Sequence, residues 1–295
     1  MHRYVVITPA HNEEVFIEQA FRSISAQTVL PLKWIAVNDA STDATGALLD
    51  RCAAARPDLV EVVHLQRPQG RDFGNKARAF NAGLARAAGL DYAFIGNLDA
   101  DISLAPDYLE NILAAFDADA ALGIAGGMVS SLIDGRFVSQ NVALDSVAGA
   151  VQLFRRPCFE DVGGYLALPN GGIDAAAEIT ARSKGWAVRT LPELSVLEHR
   201  RTGTAAGRPL AARVREGRRL HALGYAFSFF LMRCIHRSME RPRIVGSTAA
   251  LCGYLGALAR QEPVALPPEV VSFLRREQRG KLRRALNIAA TIGRP

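Results

Sequence analysis

The sequence contains no hydrophobic run of 18 or more residues, which excludes an ordinary membrane-spanning helix. It also lacks a secretory signal pattern, because residues 1–8 pass directly into a strand pattern without an apolar h-region or cleavage site. None of its four cysteines forms a C-x-x-C pair, so we expect them to be ordinary buried thiols. Together these absences predict a protein of the reducing cytoplasm.

Internal repeats, low-complexity tracts and the usual nucleic-acid-binding signatures are absent as well. The 295 residues are 49% hydrophobic, enough for one large domain or one domain with an extension. Their net charge of +6 is unevenly divided, since residues 1–199 carry 16 Lys and Arg against 24 Asp and Glu, and residues 200–295 carry 19 against 5. By charge alone the basic part suits nucleic acid, an anionic membrane or a phosphate-rich ligand. Without a binding signature we predict no nucleic-acid partner.

The stretch Phe94–Ile102 joins a short apolar run to two carboxylates, Asp99 and Asp101. The run is of strand type, and the amphipathic segment opened by Pro106 suits a helix packed on that strand. Alternate residues of a strand point the same way, so the two carboxylates can converge on one ligand. Such oxygen donors suit Mg2+ or Mn2+, which also bridges phosphate oxygens, although a solvated turn with two acids gives the same pattern.

Strand and helix patterns alternate along the first hundred residues. A turn at Pro9–Glu14 follows the first strand, with Asn12 as the N-cap of the next helix. The later elements are a strand at 34–37, a helix at 45–55, a strand at 60–65, a polar loop at 66–75, a helix at 76–88 and the strand that ends at the carboxylates. This alternation predicts an α/β fold with a mainly parallel sheet flanked by helices.

Seven short motifs carry a resemblance to a known family. They are Val6–Glu13 (VITPAHNE), Val37–Asp43 (VNDASTD), Leu98–Asp101 (LDAD), Gly149–Arg156 (GAVQLFRR), Val162–Tyr165 (VGGY), Gly171–Asp174 (GGID) and Leu197–His199 (LEH). In this order they resemble the signatures of family 2 glycosyltransferases, which have the Rossmann-like GT-A fold, and especially a bacterial subgroup tied to surface polysaccharide assembly. Asn38 and Ile173 depart from the pattern, because many members have Asp and Glu at these positions.

The resemblance implies a nucleotide-diphospho-sugar donor. Pro9, Ala10, His11 and Glu13 would line its base and ribose, and Asp39 would accept a hydrogen bond from an N–H of the base. Two alternatives stay open, because Asp39 also suits a turn cap and Glu13 also suits a helix dipole.

Positive charge follows the third strand and the last motif. Arg71 and Lys76 would contact the base or the diphosphate, with a solvated basic loop as the alternative. Arg200 and Arg201 could share the phosphate contacts by charge alone.

The resemblance makes Asp101 the principal metal ligand and brings Asp99 to ribose or metal. His199 would lie beside the metal, Mn2+ or Mg2+, although a lone histidine is more often structural. The metal would act as a Lewis acid on the departing nucleoside diphosphate.

By the same resemblance Asp174 is the catalytic base. Gly171 and Gly172 form a loop that can approach a ligand closely, and Asp174 then begins a helix at 175–184, where an N-cap aspartate is the alternative. Glu178, one turn further on, is the fallback base. A base opposite the leaving diphosphate predicts a single displacement with inversion.

Residues 200–295 lie outside the resemblance and read as a basic, amphipathic helical extension. Two uncharged runs, Ala222–Met232 and Ile244–Ala259, are too short to span a membrane and have basic flanks, which favours helices in a membrane interface. A buried helical hairpin is the alternative. For the interface, we expect apolar insertion by Phe227, Phe229, Phe230 and Leu231.

We therefore predict a catalytic domain at 1–199 and an extension at 200–295. The predicted activity is inverting, metal-dependent transfer of a sugar to a lipid-linked or polysaccharide acceptor at the inner face of the cell membrane, with an anionic membrane surface as a partner. A homo-oligomer is left open. Two alternatives remain: a sugar-nucleotide-forming nucleotidyltransferase, although Pro9–Glu14 has no Gly or cation, and a silent nucleotide- or membrane-binding scaffold.

Overall fold

A computed structural model describes residues 2–66, 72–133, 135–140, 143–200, 209–237 and 243–292. The chain divides into two compact units, one of residues Met1–Pro169 with Ile173–Thr202, and one of Asn170–Gly172 with Gly203–Pro295. Within the described ranges no helix is long and apolar enough to cross a membrane. The use of the second unit as a functional extension stays a prediction.

The first unit is built on a sheet with the strand order β3-β2-β1-β4-β8-β6-β9-β5, and β7 pairs with β6 beside this path. Its strands are β1 (Tyr4–Ala10), β2 (Lys33–Asp39), β3 (Val60–Leu65), β4 (Phe94–Leu98), β5 (Ile102–Leu104), β6 (Leu122–Ile133), β7 (Arg136–Ser139), β8 (Val151–Arg155) and β9 (Ala187–Glu198). Its helices are α1 (Ile17–Ser25), α2 (Thr45–Ala55), α3 (Asn75–Ala87), α4 (Tyr108–Ala118), α5 (Arg156–Val162) and α6 (Ile173–Ser183).

Strands β3, β2, β1 and β4 are parallel, as the alternation of strand and helix patterns predicts. The apolar side chains of β1, β2 and β4 are almost completely buried, which is expected for parallel strands covered on both faces, whereas most of those of the edge strand β3 are half-buried. Beyond β4 the sheet is mixed, because β8 runs antiparallel between β4 and β6, while β6 and β9 are parallel. The mainly parallel arrangement therefore holds for the half that the sequence periodicity describes.

The predicted turn after β1 differs from the observed one. Asn12 has a left-handed backbone with φ 57°, and α1 begins five residues later at Ile17. Asn12 is therefore not an N-cap. Its side-chain oxygen instead accepts a hydrogen bond from the Thr42 backbone N–H at 2.8 Å, which ties the turn to the loop after β2.

The second unit contains four helices in the ranges that the structure describes: α7 (Pro209–Ala222), α8 (Phe227–His236), α9 (Arg243–Ala259) and α10 (Pro268–Ile292). Helices α7 and α9 approach closely at two glycines. A methyl group built on Gly217 would lie 1.9 Å from the carbonyl oxygen of Ala250, and one on Gly253 would lie 2.0 Å from that of Val214. Only glycine fits at these two positions without a backbone shift.

The apolar core of this unit consists of Leu220, Phe230, Cys234, Ala250 and Tyr254. The prediction that Phe230 inserts into a membrane is wrong, because its ring is buried and stacks on Tyr254 with ring centroids 4.7 Å apart. The same helix α8 leaves Phe227 and Leu231 exposed. One face of α8 therefore belongs to the core, as the alternative of a buried hairpin requires, and the membrane-interface expectation for the exposed face stays a prediction.

Candidate active site

The candidate site lies where β1, β2 and β4 end at the same edge of the sheet. Parallel pairing brings Ala10 beside Asn38 and Ile7 beside Asn97, so the segments that follow these strands emerge together. The backbone of Asp99 donates to the Ala150 carbonyl at 2.9 Å, and that of His199 donates to the Asp101 carbonyl at 2.8 Å. These bonds place the two carboxylates between β8 and the end of β9, in the position where open α/β sheets bind ligands.

Side-chain caps hold the turns after β1 and β2 together. The backbone N–H of Glu13 donates to Thr45 Oγ1 at 2.7 Å, and Thr45 in turn donates to Asp43 Oδ1 at 2.6 Å. Histidine 11 pairs through Nδ1 with the backbone oxygen of Asp39 at 2.7 Å. The motif residues of the two turns therefore fix each other, and the Asp39 side chain is buried beside them.

Asn38, the first departure from the family pattern, has a structural partner. Its Nδ2 lies 3.1 Å from His64 Nδ1, and its Oδ1 accepts a hydrogen bond from the Ser41 backbone N–H at 3.2 Å. An aspartate is acceptor-only when ionised, so it would lose the amide N–H that Asn38 can offer to the histidine. Asn38 therefore stabilises the turn that carries Asp39.

Three charged side chains meet at one end of the site. Arg200 donates through Nε to Asp101 Oδ2 at 3.2 Å and through a terminal nitrogen to Glu13 Oε2, and it lies 5.6 Å above the Phe16 ring. Burial raises the pKa of Glu13 to about 7, with Arg200 opposing and Asp101 and Asp99 adding to it. Burial, Asp99 and Glu198 likewise raise the pKa of Asp101 to about 6, against Arg200. This end of the site holds more negative charge than its cation compensates.

Lys76 lies at the other end of the site, and its predicted contact with the base or the diphosphate of a donor stays a prediction. Its Nζ lies 2.5 Å from Asp99 Oδ1 and donates to the Gly149 carbonyl at 3.1 Å. The same carbonyl accepts from Asn97 Nδ2 at 2.6 Å. Burial lowers the pKa of Lys76, but Asp99, Asp174 and Asp101 outweigh it, so the pKa lies above its usual value.

Asp174 joins this cluster through Gly149. A methyl group built on Gly149 would lie 2.9 Å from Oδ2 of Asp174, so the glycine lets the carboxylate approach the backbone. Helix α6 begins at Ile173, which puts Asp174 inside its first turn. The alternative that Asp174 is an N-cap is therefore not met, although a carboxylate in the first turn still interacts favourably with the helix dipole.

Glu178 is not available as a fallback base. Its carboxylate is buried and accepts hydrogen bonds from the Val147 backbone at 2.7 Å, Ser146 Oγ at 2.8 Å and Gln152 Nε2 at 3.0 Å. Burial raises its pKa to about 7 despite these donors. Glu178 therefore fixes α6 to the segment that leads into β8, one turn below Asp174.

The assignment of Asp99, Asp101 and His199 as metal ligands stays a prediction. His199 Nε2 lies 2.8 Å from both Gln19 Nε2 and Ser103 Oγ, and burial lowers the pKa of this histidine. Among the residues that the structure describes, no group of three His, Cys, Asp or Glu side chains is arranged to hold a metal ion. In this arrangement His199 Nε2 is engaged by these two neighbouring side chains, and the role of His199 as a metal ligand stays a prediction.

Other assignments keep their standing as predictions. Pro9 and Ala10 end β1 at the site, which agrees with the predicted position but assigns no contact. Arg71 and Arg201 lie outside the described residues.

The contact of Arg200 with Glu13 joins residues 187 apart in sequence. The sequence signalled only the cation beside His199, not its partners.

Comparison with known proteins identifies the family of the chain. The family model described as Glycosyl transferase family 2 matches residues 5–159. The polyprenol monophosphomannose synthase of Mycolicibacterium smegmatis is 35% identical over 127 residues, which are 43% of this chain and 46% of that protein. The succinoglycan biosynthesis protein ExoO of Rhizobium meliloti is 32% identical over 131 residues, 44% of this chain and 34% of that protein. The chain thus covers less than half the length of these relatives.

Two solved structures are similar over most of the chain. The mannosyltransferase PcManGT from Pyrobaculum calidifontis, in complex with GDP-Man and Mn2+, gives a TM-score of 0.56 at 20% identity and covers 98% of this chain and 80% of its own. S. aureus TarS 1-349 in complex with UDP-GlcNAc gives 0.57 at 15% identity, covering 92% and 79%. At these identities the similarity shows a common fold, which confirms the predicted GT-A-type α/β fold.

Proposed function

This chain belongs to glycosyl transferase family 2, and from that membership and its site geometry we propose that it transfers a sugar, with inversion, from a nucleotide-diphospho-sugar to an acceptor hydroxyl. One observation carries the proposal: Asp99, Asp101 and Asp174 lie with Lys76 and Arg200 at a single edge of the sheet. Nucleotidyl transfer, left open by the sequence, has no support from the family match. We therefore treat the chain as a glycosyltransferase.

The donor set suits a divalent cation. Asp99 and Asp101 offer hard oxygen ligands. Burial and the neighbouring carboxylates raise the pKa of Asp101, which means that Arg200 compensates its negative charge only in part. Asp101 would bind the cation and Asp99 would contact it or the ribose. Such a cation supplies Lewis-acid stabilisation of the leaving diphosphate when it is bound. The GDP-Man and Mn2+ complex of PcManGT makes this pairing a reasonable one to test.

Asp174 has the position and neighbours of a general base. Its carboxylate lies beside the Gly149 backbone and close enough to Lys76 to raise the pKa of that amine. It would accept the proton of the acceptor hydroxyl while the diphosphate leaves from the opposite face of the sugar ring, which gives inversion. Lys76 would hold Asp99 and the Gly149 carbonyl in place on the donor side.

The acceptor is proposed to be lipid-linked or a polysaccharide, as the names of the polyprenol and succinoglycan relatives suggest. The second unit would bind an anionic membrane surface at the inner face of the cell membrane. Residues 203–295 of this unit carry 17 basic against 5 acidic side chains, and each Lys or Arg near such a surface contributes on the order of 1 kcal/mol. Phe227 and Leu231, which are exposed on α8, would add insertion that salt does not remove.

Liposome flotation tests the membrane proposal with the full chain. We expect flotation with anionic vesicles at low salt, weaker flotation at high salt, and loss on replacing Phe227 and Leu231 by Ser. Val15→Ser is the matched control, because Val15 is an exposed apolar residue of the first unit. Protein that stays in the soluble fraction at low salt would contradict membrane binding.

A thermal-shift panel tests the catalytic proposal. Wild-type protein is heated with UDP-, GDP- and dTDP-sugars, each with Mn2+ and with EDTA. A ligand that binds the folded state raises the melting temperature, so one base should stabilise the protein most, and only with the metal. If every donor at millimolar concentration gave the melting curve of the ligand-free protein, nucleotide-sugar binding would be contradicted.

A further inference from the structure

Arg200 lies between two carboxylates that are little exposed, those of Glu13 and Asp101. Its guanidinium bridges Glu13 and Asp101 and lies over Phe16, so contacts from three directions fix it. The Glu13 and Asp101 side chains are only 14% and 12% exposed, which leaves water little access to their charges. Arg200 itself is 32% exposed, and therefore lies at the mouth of the site.

Arg200 compensates the negative charge of Glu13 and Asp101, and a divalent cation bound there would compensate the same charge. A cation bound at Asp101 would bring two positive charges next to the guanidinium, and like charges at such distances repel in a partly buried site. Asp99 already has Lys76 as its counter-ion at 2.5 Å. Within the described residues, Arg200 is the cation in direct contact with Asp101, so its guanidinium would oppose a metal on that carboxylate.

We propose that Arg200 is a built-in counter-ion that competes with the divalent cation for Asp101 and, once displaced, binds the anionic donor. The proposal rests on the proposed function, because it takes the cation and the diphosphate from it. It explains why Glu13 and Asp101 are both paired with one arginine although their negative charge is costly to bury. It also gives Glu13 a role as the anchor of Arg200.

Competition predicts effects of opposite sign on two ligands. Arg200→Gln removes the competing charge, so Mn2+ alone should bind about tenfold more tightly, as expected for loss of roughly 1.4 kcal/mol of repulsion. The same variant loses a charged donor to phosphate oxygens, so UDP and GDP in EDTA should bind more weakly. A residue that only stabilised the turns would weaken both ligands together.

Two further variants sharpen the test. Arg200→Lys keeps the charge but lacks the planar fork that reaches both carboxylates, so its Mn2+ affinity should lie between those of wild type and Arg200→Gln. Arg189→Gln is the matched control. Arg189 lies in β9, the strand that precedes Arg200, and pairs with Asp119 at 2.7 Å. It contacts no site residue in the described structure. Its affinities for both ligands should equal those of wild type.

Free Mn2+ is measured by its electron paramagnetic resonance signal, and UDP and GDP binding by calorimetry. Tighter Mn2+ and weaker nucleotide binding in Arg200→Gln supports the proposal. Unchanged or weaker Mn2+ binding in that variant overturns it while leaving the proposed function intact. Wild-type protein that binds neither ligand contradicts the proposed function itself. If Arg200→Gln does not fold, Arg200→Lys decides, since equal Mn2+ affinity in this variant and wild type also overturns the proposal.

Discussion

Buried carboxylates in the two units face opposite electrostatic surroundings. Glu216 of the second unit lies 2.9 Å from Arg213, 2.5 Å from Arg237 and 3.7 Å from Arg233. Burial raises its pKa, but these arginines outweigh burial, so its pKa lies below the usual value. In the first unit, Glu13 and Asp101 share Arg200, and their pKa values are raised.

The difference separates a structural carboxylate from one kept for a ligand. Excess positive charge around Glu216 keeps it ionised, so it can link α7 and α8 without any ligand. The surplus negative charge around Asp101 is unfavourable without a compensating cation, and such perturbed groups are enriched at functional sites, which agrees with the proposed metal site. Substitutions in the two units should therefore change stability in opposite directions.

Glu216→Ala should have the largest effect on stability. It removes the carboxylate that three arginines share, and breaking a buried ion pair costs roughly 3–5 kcal/mol. Urea unfolding measures the loss. Glu160→Ala is the control, because Glu160 pairs with Arg156 at the surface, where such pairs contribute about 0–1 kcal/mol. Equal losses in the two variants would remove the contrast between the units.

Asp174→Asn should have the largest effect on catalysis. It removes the proton acceptor while keeping the shape of the side chain beside Gly149, so turnover should fall by a factor of about 10² or more. Donor affinity and melting temperature should stay close to wild type. Single-turnover kinetics and calorimetry check both statements, and wild-type turnover in this variant would show that Asp174 is not the base.

Motifs and periodicity predicted the parts of the first unit that depend on neighbours in sequence. Strand β3 and helix α2 lie where the sequence placed them, and the carboxylates follow β4. The bridge by Arg200 and the engagement of His199 by Gln19 depend on contacts across 180 or more residues. Such contacts are set by tertiary packing, which local pattern does not encode.

The same limit explains the misassigned residues. Glu178 lies one turn from Asp174 and is the fallback base by sequence, yet it is buried among three donors that come from the segment before β8 and from β8 itself. Phe230 belongs to an uncharged run, but only tertiary packing decides which side of α8 meets Tyr254. In both cases the sequence identifies an acidic or an apolar side chain, but it does not show which residues surround that side chain in the folded protein.

Glu178→Gln should change how stability depends on pH. Burial raises the folded-state pKa of Glu178 to about 7 from an ordinary 4.5, with Asp174 adding to the shift and Arg182 opposing it. The folded protein thus binds more protons, so this residue's contribution is full below pH 4.5 and is lost as pH rises through 7. Wild-type stability should fall relative to the variant by on the order of 3 kcal/mol over this window. Urea unfolding at pH 4.5 to 8 tests this, and parallel curves would contradict it.

Asp101→Asn should give the smallest change and the most direct contrast with Glu216. It removes surplus negative charge and keeps the side-chain shape, so stability in EDTA should not fall and should rise by about 1 kcal/mol, as when strained functional sites are relaxed. Stabilisation by a donor with Mn2+ should disappear at the same time, because the principal oxygen ligand is gone. Asp58→Asn is the control, since its pairing with Arg56 lowers the pKa of Asp58 at the surface, and this variant should gain no stability. Thermal melting with and without Mn2+ measures both effects. A loss of stability in EDTA would show that Asp101 is compensated like Glu216, and the distinction between the two units would then be wrong.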